Sequence, residues 1–534
     1  MRQAHEVVKV RAAEGALMAT LPEGALMQRA AFGLASVCAR LLEEPYGARV
    51  VVLAGGGDNG GDALYAGALL ARRGAAVHVI TAGSRTHPGG AGALRAAGGG
   101  LLGPADRSVP GLVAQADLIV DGMLGIGGRG GLREPYASLA GQAASSRAIV
   151  VATDLPSGID ADTGVVEGPA VQADFTVTFG TWKPGLLVDP GAGHAGVAEL
   201  IDIGLAPYLD APDLVALQSP DVTDLLPVPT AESDKYRRGV LGVVAGSDRF
   251  TGAAWLAVGA AVRGGAGLVR LVAPGRPAAV VRQAWPEAVI TVIEDAGPTA
   301  AQVLQTAGRV QAWAAGPGMG TDENAARLLR EVLAQNVPVL VDADGLTLLA
   351  AERGLVPRQA PTLVTPHAGE LARLLGADPA DVEARRLEHV RRAASELGVT
   401  VLLKGSTTVI AEPRDGAPVF VNPTGTPWLA TGGTGDVLSG LAGSLLAQGL
   451  DVTRAAAVAA YLHGLAARLA AAGLGEPGAA DAGDEGSGPG VLAGIAVPET
   501  AVPVRDDFVA APIGASDVLR ALPAAIRAVR AAGR

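Results

Sequence analysis

Short apolar runs that end in glycine- and aspartate-rich turns, each followed by a helical pattern, recur along this chain. This alternation limits its fold more than any other feature. In the first part the runs are Arg49–Ala54, Ala76–Thr81, Ala116–Asp121, Ala148–Thr153, Phe175–Phe179 and Gly196–Asp202. Several are continuous in β-branched residues, without polar alternation, as suits strands of a parallel sheet covered on both faces. Ahead of them Pro22–Glu43 reads as a helix. A second series starts near Gly239: Val240–Ala245, Leu268–Ala273, Val289–Glu294, Ala312–Ala315, Val339–Asp342, Thr362–Thr365, Val401–Lys404 and Thr407–Ile410. The 534 residues are too many for one ordinary core. The expected class is α/β, with two tandem doubly wound domains over 1–211 and 212–534. Hydrophobic residues make up 49%, aromatics only 3%, and glycine numbers 75, so the cores are built from Ala, Val and Leu with close helix–strand packing.

The Pro- and Asp-rich segment 206–230 has little periodicity and reads as a linker or domain-crossing arm. Segment 472–512 is dominated by Ala, Gly, Asp, Glu and Pro and reads as a mobile, solvated acidic insertion. Ser516 is the expected N-cap of a last helix running to about Ala531. No apolar stretch is long enough to span a bilayer, and Met1–Arg11 lacks the apolar core of a secretion signal. The single cysteine, Cys38, excludes an internal disulfide framework and reads as a buried helix residue. A net charge of −11 argues against general nucleic-acid binding. The expectation is a cytoplasmic protein that handles small molecules.

The most chemically specific stretch is Asn422 to Gly440. Gly432, Gly433 and Gly435 leave backbone N–H groups open to an anion, and the apolar run Val437–Leu446 reads as a helix whose N-terminus points at it. Asp436, where loop becomes helix, is placed for acid–base work on a hydroxyl. Lys404-Gly-Ser-Thr-Thr408 lies just before, and together these favour a nucleotide phosphate site. In the first domain Gly55-Gly-Gly-Asp-Asn-Gly-Gly-Asp62 follows a strand and opens a helix, as phosphate or dinucleotide cradles do. Val120 to Leu132 is a second glycine loop, and Asp154-Leu-Pro-Ser-Gly-Ile-Asp160 ends a third strand. Asn59, Asp121, Asp154 and Ser157 can converge on one crevice, where oxygen ligands of low charge suit a hard cation. Lys183, by itself, reads as a solvated surface lysine.

The Asp-Asn-Gly-Gly-Asp loop, Asp121-Gly-Met-Leu-Gly-Ile-Gly127, Asp154-Leu-Pro-Ser-Gly-Ile-Asp160 and Phe179-Gly-Thr-Trp-Lys-Pro-Gly185 resemble the NAD(P)H-hydrate epimerase domain over most of residues 20–205. The resemblance implies a Rossmann-like domain that equilibrates the R and S forms of NAD(P)H hydrated at nicotinamide C6, with Asp154 as a catalytic residue. It implies potassium on Asn59, Asp121 and Ser157. Substrate would touch Asp58, Asn59, Gly60, Gly61 and Asp62. It would also touch Gly125, Ile126, Gly127, Gly128, Arg129, Gly130, Gly131, Tyr136 and Asp154. Asp58 stands where the family usually has Asn, and Ala63 where it usually has Gly; Asp58 adds negative charge beside a phosphorylated substrate.

The second half resembles the ribokinase-like superfamily, and within it the ADP-dependent NAD(P)H-hydrate dehydratases. The matching motifs are Gly246-Ser-Asp-Arg-Phe-Thr-Gly-Ala-Ala254, Gly316-Pro-Gly-Met-Gly320, Asp342-Ala-Asp-Gly345, Thr365-Pro-His-Ala-Gly-Glu370, Lys404-Gly-Ser-Thr-Thr408 and the Asp436 loop. The resemblance implies nucleotide binding by Lys404, Gly405, Ser406, Thr407, Thr408 and Gly435, and substrate binding by Ala253, Gly318, His367 and Asp436. It implies Asp436 as catalytic base, Mg²⁺, and ADP as co-substrate. Together the two halves are similar to bifunctional NAD(P)H-hydrate repair enzymes, with a homo-oligomer, for instance a tetramer, as the expected state. The same Gly-Thr-Gly-Asp loop serves small-molecule kinases, so a vitamin-precursor kinase with a fused dinucleotide-sensing module is the alternative.

Overall fold

The computed structural model describes residues 1–83, 85–294, 297–474 and 510–533. Most of the expected insertion at 472–512 lies outside the described residues. The chain divides into two compact units, one over Arg2–Leu214 and one from Val215 onward.

The first unit carries a seven-stranded sheet. In chain order its strands are β1 (Arg49–Ala54), β2 (Ala76–Thr81), β3 (Gly100–Leu102), β4 (Leu118–Gly122), β5 (Ile149–Thr153), β6 (Phe175–Phe179) and β7 (Val197–Ile201). All pair in parallel, in the spatial order β3-β2-β1-β4-β5-β6-β7. The order reverses between β1 and β4, so ligands are expected above the C-terminal ends of these two strands. Successive residues of β1 serve opposite faces. Val50, Val52 and Ala54 pack with helices Ala25–Leu41 and Asp58–Arg72, while Val51 and Leu53 pack with Val109–Ala114 and Tyr136–Ala144. This two-sided cover is why the runs are continuously apolar. β3 went unrecognised in the sequence because its three residues, Gly100–Leu102, are too few to show a period.

The second unit carries β8 (Leu214–Ala216), in which the division falls, β9 (Val240–Val244), β10 (Leu268–Pro274), β11 (Val289–Ile293), β12 (Ala312–Ala315), β13 (Val339–Val341), β14 (Thr362–Val364), β15 (Thr400–Leu403), β16 (Thr408–Ala411) and β17 (Val419–Asn422). Their order is β8-β17-β16-β15-β14-β13-β12-β9-β10-β11, with the reversal between β12 and β9. The strands from β15 to β11 pair in parallel, but β16 pairs antiparallel with both β15 and β17. The core is built largely from Ala, Val and Leu of β9, β10 and helices Thr251–Arg263, Thr434–Ala447, Val452–Ala471 and Ala515–Ala532.

Three expectations are corrected. Residues 206–230 are not a bare linker: they hold strand β8 and helix Ser219–Leu225, and Leu214, Val215, Ala216 and Val222 are buried. A three-residue strand among Pro and Asp gives no readable period. The helix expected over Pro22–Glu43 starts only at Ala25, after Gly24 at φ 76°, and an earlier helix, Val7–Met18, precedes it. The last helix is capped at Gly514, whose N–H donates to the Asp517 carboxylate at 2.7 Å, so Ser516 lies inside the helix.

Candidate active sites

A cavity of about 780 Å³ opens where the first sheet reverses. Asp58, Asn59, Asp62, Gly125, Ile126, Gly127, Gly128, Tyr136 and Asp154 line it. Gly60, Gly61, Arg129, Gly130 and Gly131 are not on its wall. Gly60 packs tightly against the Gly55 carbonyl, where no side chain fits. Arg129 is held by Asp160 at 2.7 Å and Asp162 at 3.1 Å. Gly131 lies against Gly168.

Beneath the Gly122–Gly125 turn, Asp121 is fully buried. It accepts from Ser157 Oγ at 2.7 Å, Ser157 N–H at 2.8 Å and Met123 N–H at 3.1 Å. Ser157 Oγ also accepts from Leu124 N–H at 2.9 Å. Burial raises the Asp121 pKa to about 6 against these hydrogen bonds. Asn59 stands directly against Gly125, and its buried side-chain amide nitrogen has no partner among the described residues.

Asp154 has φ 66°, a left-handed value that costs energy for a non-glycine residue and is held here by its surroundings. Its N–H donates to the Val177 carbonyl at 2.7 Å. Its carboxylate accepts from Lys183 Nζ at 2.5 Å and Thr178 Oγ1 at 3.1 Å. Lys183 is therefore not the solvated lysine its local sequence suggests: it is 1% exposed. Its ammonium also donates to Thr178 Oγ1 at 3.0 Å and the Phe179 carbonyl at 2.9 Å. Sequence reading also missed Arg11, Glu14 and Met18, which line the cavity from helix Val7–Met18. Their i, i+3, i+7 spacing was the available signal.

In the second unit the groups gather at the C-terminal ends of β13, β14 and β15. Lys404 Nζ meets Asp342 at 2.7 Å and Glu370 at 3.7 Å. Asp342, which is 1% exposed, also accepts from Ser439 Oγ at 2.5 Å. Burial works against the Lys404 ammonium, but Asp342 and Glu370 outweigh it and hold its pKa above the ordinary value. Helix Thr434–Ala447 starts after Gly433 at φ 92° and brings Asp436 into its first turn. A Cβ on Gly435 would lie 3.5 Å from Lys404 Nζ and 3.7 Å from Asp342 Oδ2, so the helix N-terminus, the lysine and the buried carboxylate share one spot. Burial, with Asp342 and Asp344 adding to it and Lys404 opposing it, raises the Asp436 pKa to about 7.

Gly405 and Ser406 are exposed on the β15–β16 turn, Thr407 is buried and Thr408 is half-buried at the start of β16. Arg386 clamps this turn from below. It is 1% exposed and donates to the carbonyls of Lys404 at 2.8 Å, Thr407 at 3.3 Å and Leu403 at 3.4 Å. Arg386 packs so closely under Gly405 that no Cβ fits there. Ala253 and Gly318 are neighbours: a Cβ on Gly318 would lie 2.8 Å from that of Ala253. His367 caps helix Ala368–Leu375, accepting Gly369 N–H on Nδ1 at 3.0 Å, with its ring mostly exposed. No helix among the described residues is long and apolar enough to cross a membrane.

A family profile described as YjeF-related protein N-terminus matches residues 23–185, and one described as NAD(P)H-hydrate dehydratase matches 241–481. The bifunctional NAD(P)H-hydrate repair enzyme Nnr of Mycobacterium leprae (strain TN) is 47% identical over 487 residues, covering 90% of this chain and 96% of that protein. The enzyme of the same name from Moorella thermoacetica (strain ATCC 39073 / JCM 9320) is 38% identical over 448 residues, covering 79% and 83%. The solved ADP/ATP-dependent NAD(P)H-hydrate dehydratase of Bacillus subtilis, co-crystallised with ATP/Mg²⁺, is 32% identical, with a TM-score of 0.42 over 48% of this chain and 90% of that one.

Proposed function

This chain belongs to the family of bifunctional NAD(P)H-hydrate repair enzymes, and we propose that it repairs hydrated NADH and NADPH at the two sites just described. The unit over Arg2–Leu214 interconverts the R and S hydrates. The unit from Val215 dehydrates the S form at the expense of ADP, releasing NAD(P)H, AMP and phosphate. The observation that carries this reading is the meeting of Gly435, Lys404 and Asp342 at the helix that bears Asp436.

Asp436 takes the proton of the C6 hydroxyl as that oxygen attacks the β-phosphorus of ADP and AMP leaves. A pKa near 7 suits a base that must accept and release a proton at neutral pH. The N–H groups of the helix's first turn have no partner within the helix and face the developing phosphate charge. Lys404 adds its ammonium, and Arg386 holds the turn that carries it. The ring nitrogen lone pair then expels phosphate from C6, and loss of a C5 proton restores the dihydropyridine. Ala253, Gly318 and His367 are the proposed substrate wall, and Gly405, Ser406, Thr407 and Thr408 the proposed nucleotide turn.

Asp342, Glu370 and Asp436 all act on the Lys404 ammonium. No three such side chains gather as a metal-ligand group among the described residues, so Mg²⁺ would be held chiefly by the nucleotide phosphates, with one or two of these carboxylates, and would neutralise phosphate charge. In the first unit Asp121 is a buried carboxylate with no cationic partner among the described residues. It lies beside Ser157 and below the turn that meets Asn59, and this set fits K⁺, which when bound would order the Gly122–Gly125 turn. Asp154 is the proposed base of the epimerase, with Asp58, Asn59, Asp62, Gly125–Gly128 and Tyr136 around the substrate and Gly60 and Gly61 shaping the turn behind them. Arg129, Gly130 and Gly131 shape that loop. A cytoplasmic homo-oligomer is the proposed working form.

The test is to incubate the purified chain with mixed hydrate epimers and either ADP or ATP, following both epimers and phosphate by chromatography. Complete consumption of both epimers with release of free phosphate supports the reading. A stable phosphorylated product, or consumption that stalls at the R form, refutes it.

A further inference from the structure

We propose that Glu14, on helix Val7–Met18, is a catalytic acid of the epimerase site and acts as the partner of Asp154. The proposal rests on reading the first unit as an epimerase. The helix lies before residues 23–185, which match the family profile. Val10, Ala13 and Leu17 bury one face of it in the core. Arg11, Glu14 and Met18 form a second face, and this face lines the cavity together with Asp58, Asp62 and Asp154.

The helix is pinned where it begins. Val7 N–H donates to Asp162 at 2.6 Å, Glu6 N–H to Asp213 at 2.9 Å, and His5 N–H to the Trp182 carbonyl at 3.0 Å, next to Lys183. Thus the segment that starts the helix is tied to the loop that carries the Asp154 partner.

The two carboxyls have unlike surroundings. The Asp154 carboxyl is paired with Lys183, whose ammonium spends all three protons on Asp154, Thr178 and Phe179 and has none left for a ligand. No hydrogen bond or ion pair among the described residues holds the Glu14 carboxyl. Burial pushes its pKa up; Asp154 and Asp58 add to the rise, and Lys183 and Arg11 oppose it. Carboxyls in such unlike surroundings, one paired with an ammonium and one without a partner, are what an acid–base pair needs. Asp62 also lines the cavity and is pushed well up by burial and by Asp154, Asp58 and Glu14 against Lys183, but its Oδ1 is sealed from solvent.

The hydrated ring is a hemiaminal, with the C6 hydroxyl beside N1. Asp154 takes the hydroxyl proton, the C6–N1 bond breaks with its electron pair going to N1, and Glu14 gives N1 a proton. C6 is then an aldehyde carbon. Rotation about C5–C6 presents its other face, N1 attacks, Glu14 recovers its proton and Asp154 returns the other. No oxidant, reductant or further reactant is needed.

The test uses the full chain with Glu14→Gln, starting from a single NADPH-hydrate epimer and following the other by chromatography. General acids contribute about 10²–10⁴-fold, so kcat should fall at least about 100-fold while KM stays within about threefold. Glu14→Asp should recover part of the rate, and the fall of wild-type epimerisation at alkaline pH should be missing in Glu14→Gln. A Glu14→Gln rate within about threefold of wild type overturns the proposal. So does a loss confined to KM or to melting temperature, or an Asp62→Asn variant that removes the alkaline fall while Glu14→Gln keeps it. If wild type itself fails to epimerise, the epimerase reading falls, and Glu14's role with it.

Discussion

Asp436→Asn tests the second site through both rate and stability. The carboxyl titrates at about 7 in the folded chain against 3.8 ordinarily. An acid whose folded pKa lies above its unfolded value favours the folded state fully below about pH 4, and that stability is lost as pH rises to about 7. The loss runs at about 1.4 kcal/mol per pH unit. From pH 5.5 to pH 8 the wild type should therefore lose about 2 kcal/mol that the uncharged Asn variant keeps. For a unit of this size, at about 2.1 cal/mol/K of unfolding entropy per residue, that is a gap of about 3 °C in melting temperature. The assay is thermal unfolding of wild type and Asp436→Asn without ligand across this pH range, followed by dehydration rates on the S hydrate. Asp436→Asn should melt higher relative to wild type at pH 8 than at pH 5.5, and should dehydrate at least about 100-fold more slowly. Wild-type dehydration should rise with pH through about 7, as the base loses its proton. A melting gap that does not change with pH would show that burial and Asp342 do not hold the carboxyl neutral. A dehydration rate within tenfold of wild type would remove Asp436 from the chemistry.

Asp121→Ala should abolish epimerisation and leave dehydration of the S form intact, and crystals soaked in a heavier monovalent ion should give an anomalous peak between Asn59, Asp121 and Ser157. Lys183→Met leaves the largely buried Asp154 carboxyl without its ion-pair partner, so the first unit should lose about 3–5 kcal/mol, read by denaturant titration. Adding Asp154→Asn should restore most of that stability without restoring epimerisation. Gly405→Ala should drive a methyl into Arg386 and displace the turn, raising KM for ADP at least about tenfold while epimerisation stays unchanged.

The strand runs were legible because both faces of each sheet are covered, so burial writes itself into the sequence as unbroken apolar stretches such as 50–54 and Val240–Val244. The glycine loops and strand-end aspartates were legible too, since close backbone approach and a helix N-terminus demand particular residue types locally. Asp436 was singled out by Gly432, Gly433 and Gly435 together with Lys404-Gly-Ser-Thr-Thr408, and the fold places it in the first turn of its helix. β8 could not be read, because three residues show no period and its burial comes from a sheet partner, β17, some two hundred residues away in the chain.

Each half's fold class and the chemistry of its loops are thus determined by local order along the chain: period, turn chemistry and motif spacing. The state of the charged groups is decided by tertiary structure alone. Lys183 looks like a surface lysine until β5, β6 and their loops fold around it and Asp154 takes its proton-rich end. Lys404 looks like a free phosphate ligand until Asp342 arrives from the end of β13. Glu14 sits on a helix with no motif until His5, Glu6 and Val7 tie that helix to the cavity. The physical reason is the same in each case. A carboxylate or ammonium in water is indifferent to its neighbours in sequence, whereas a buried one is governed by whichever groups the fold brings within a few ångströms.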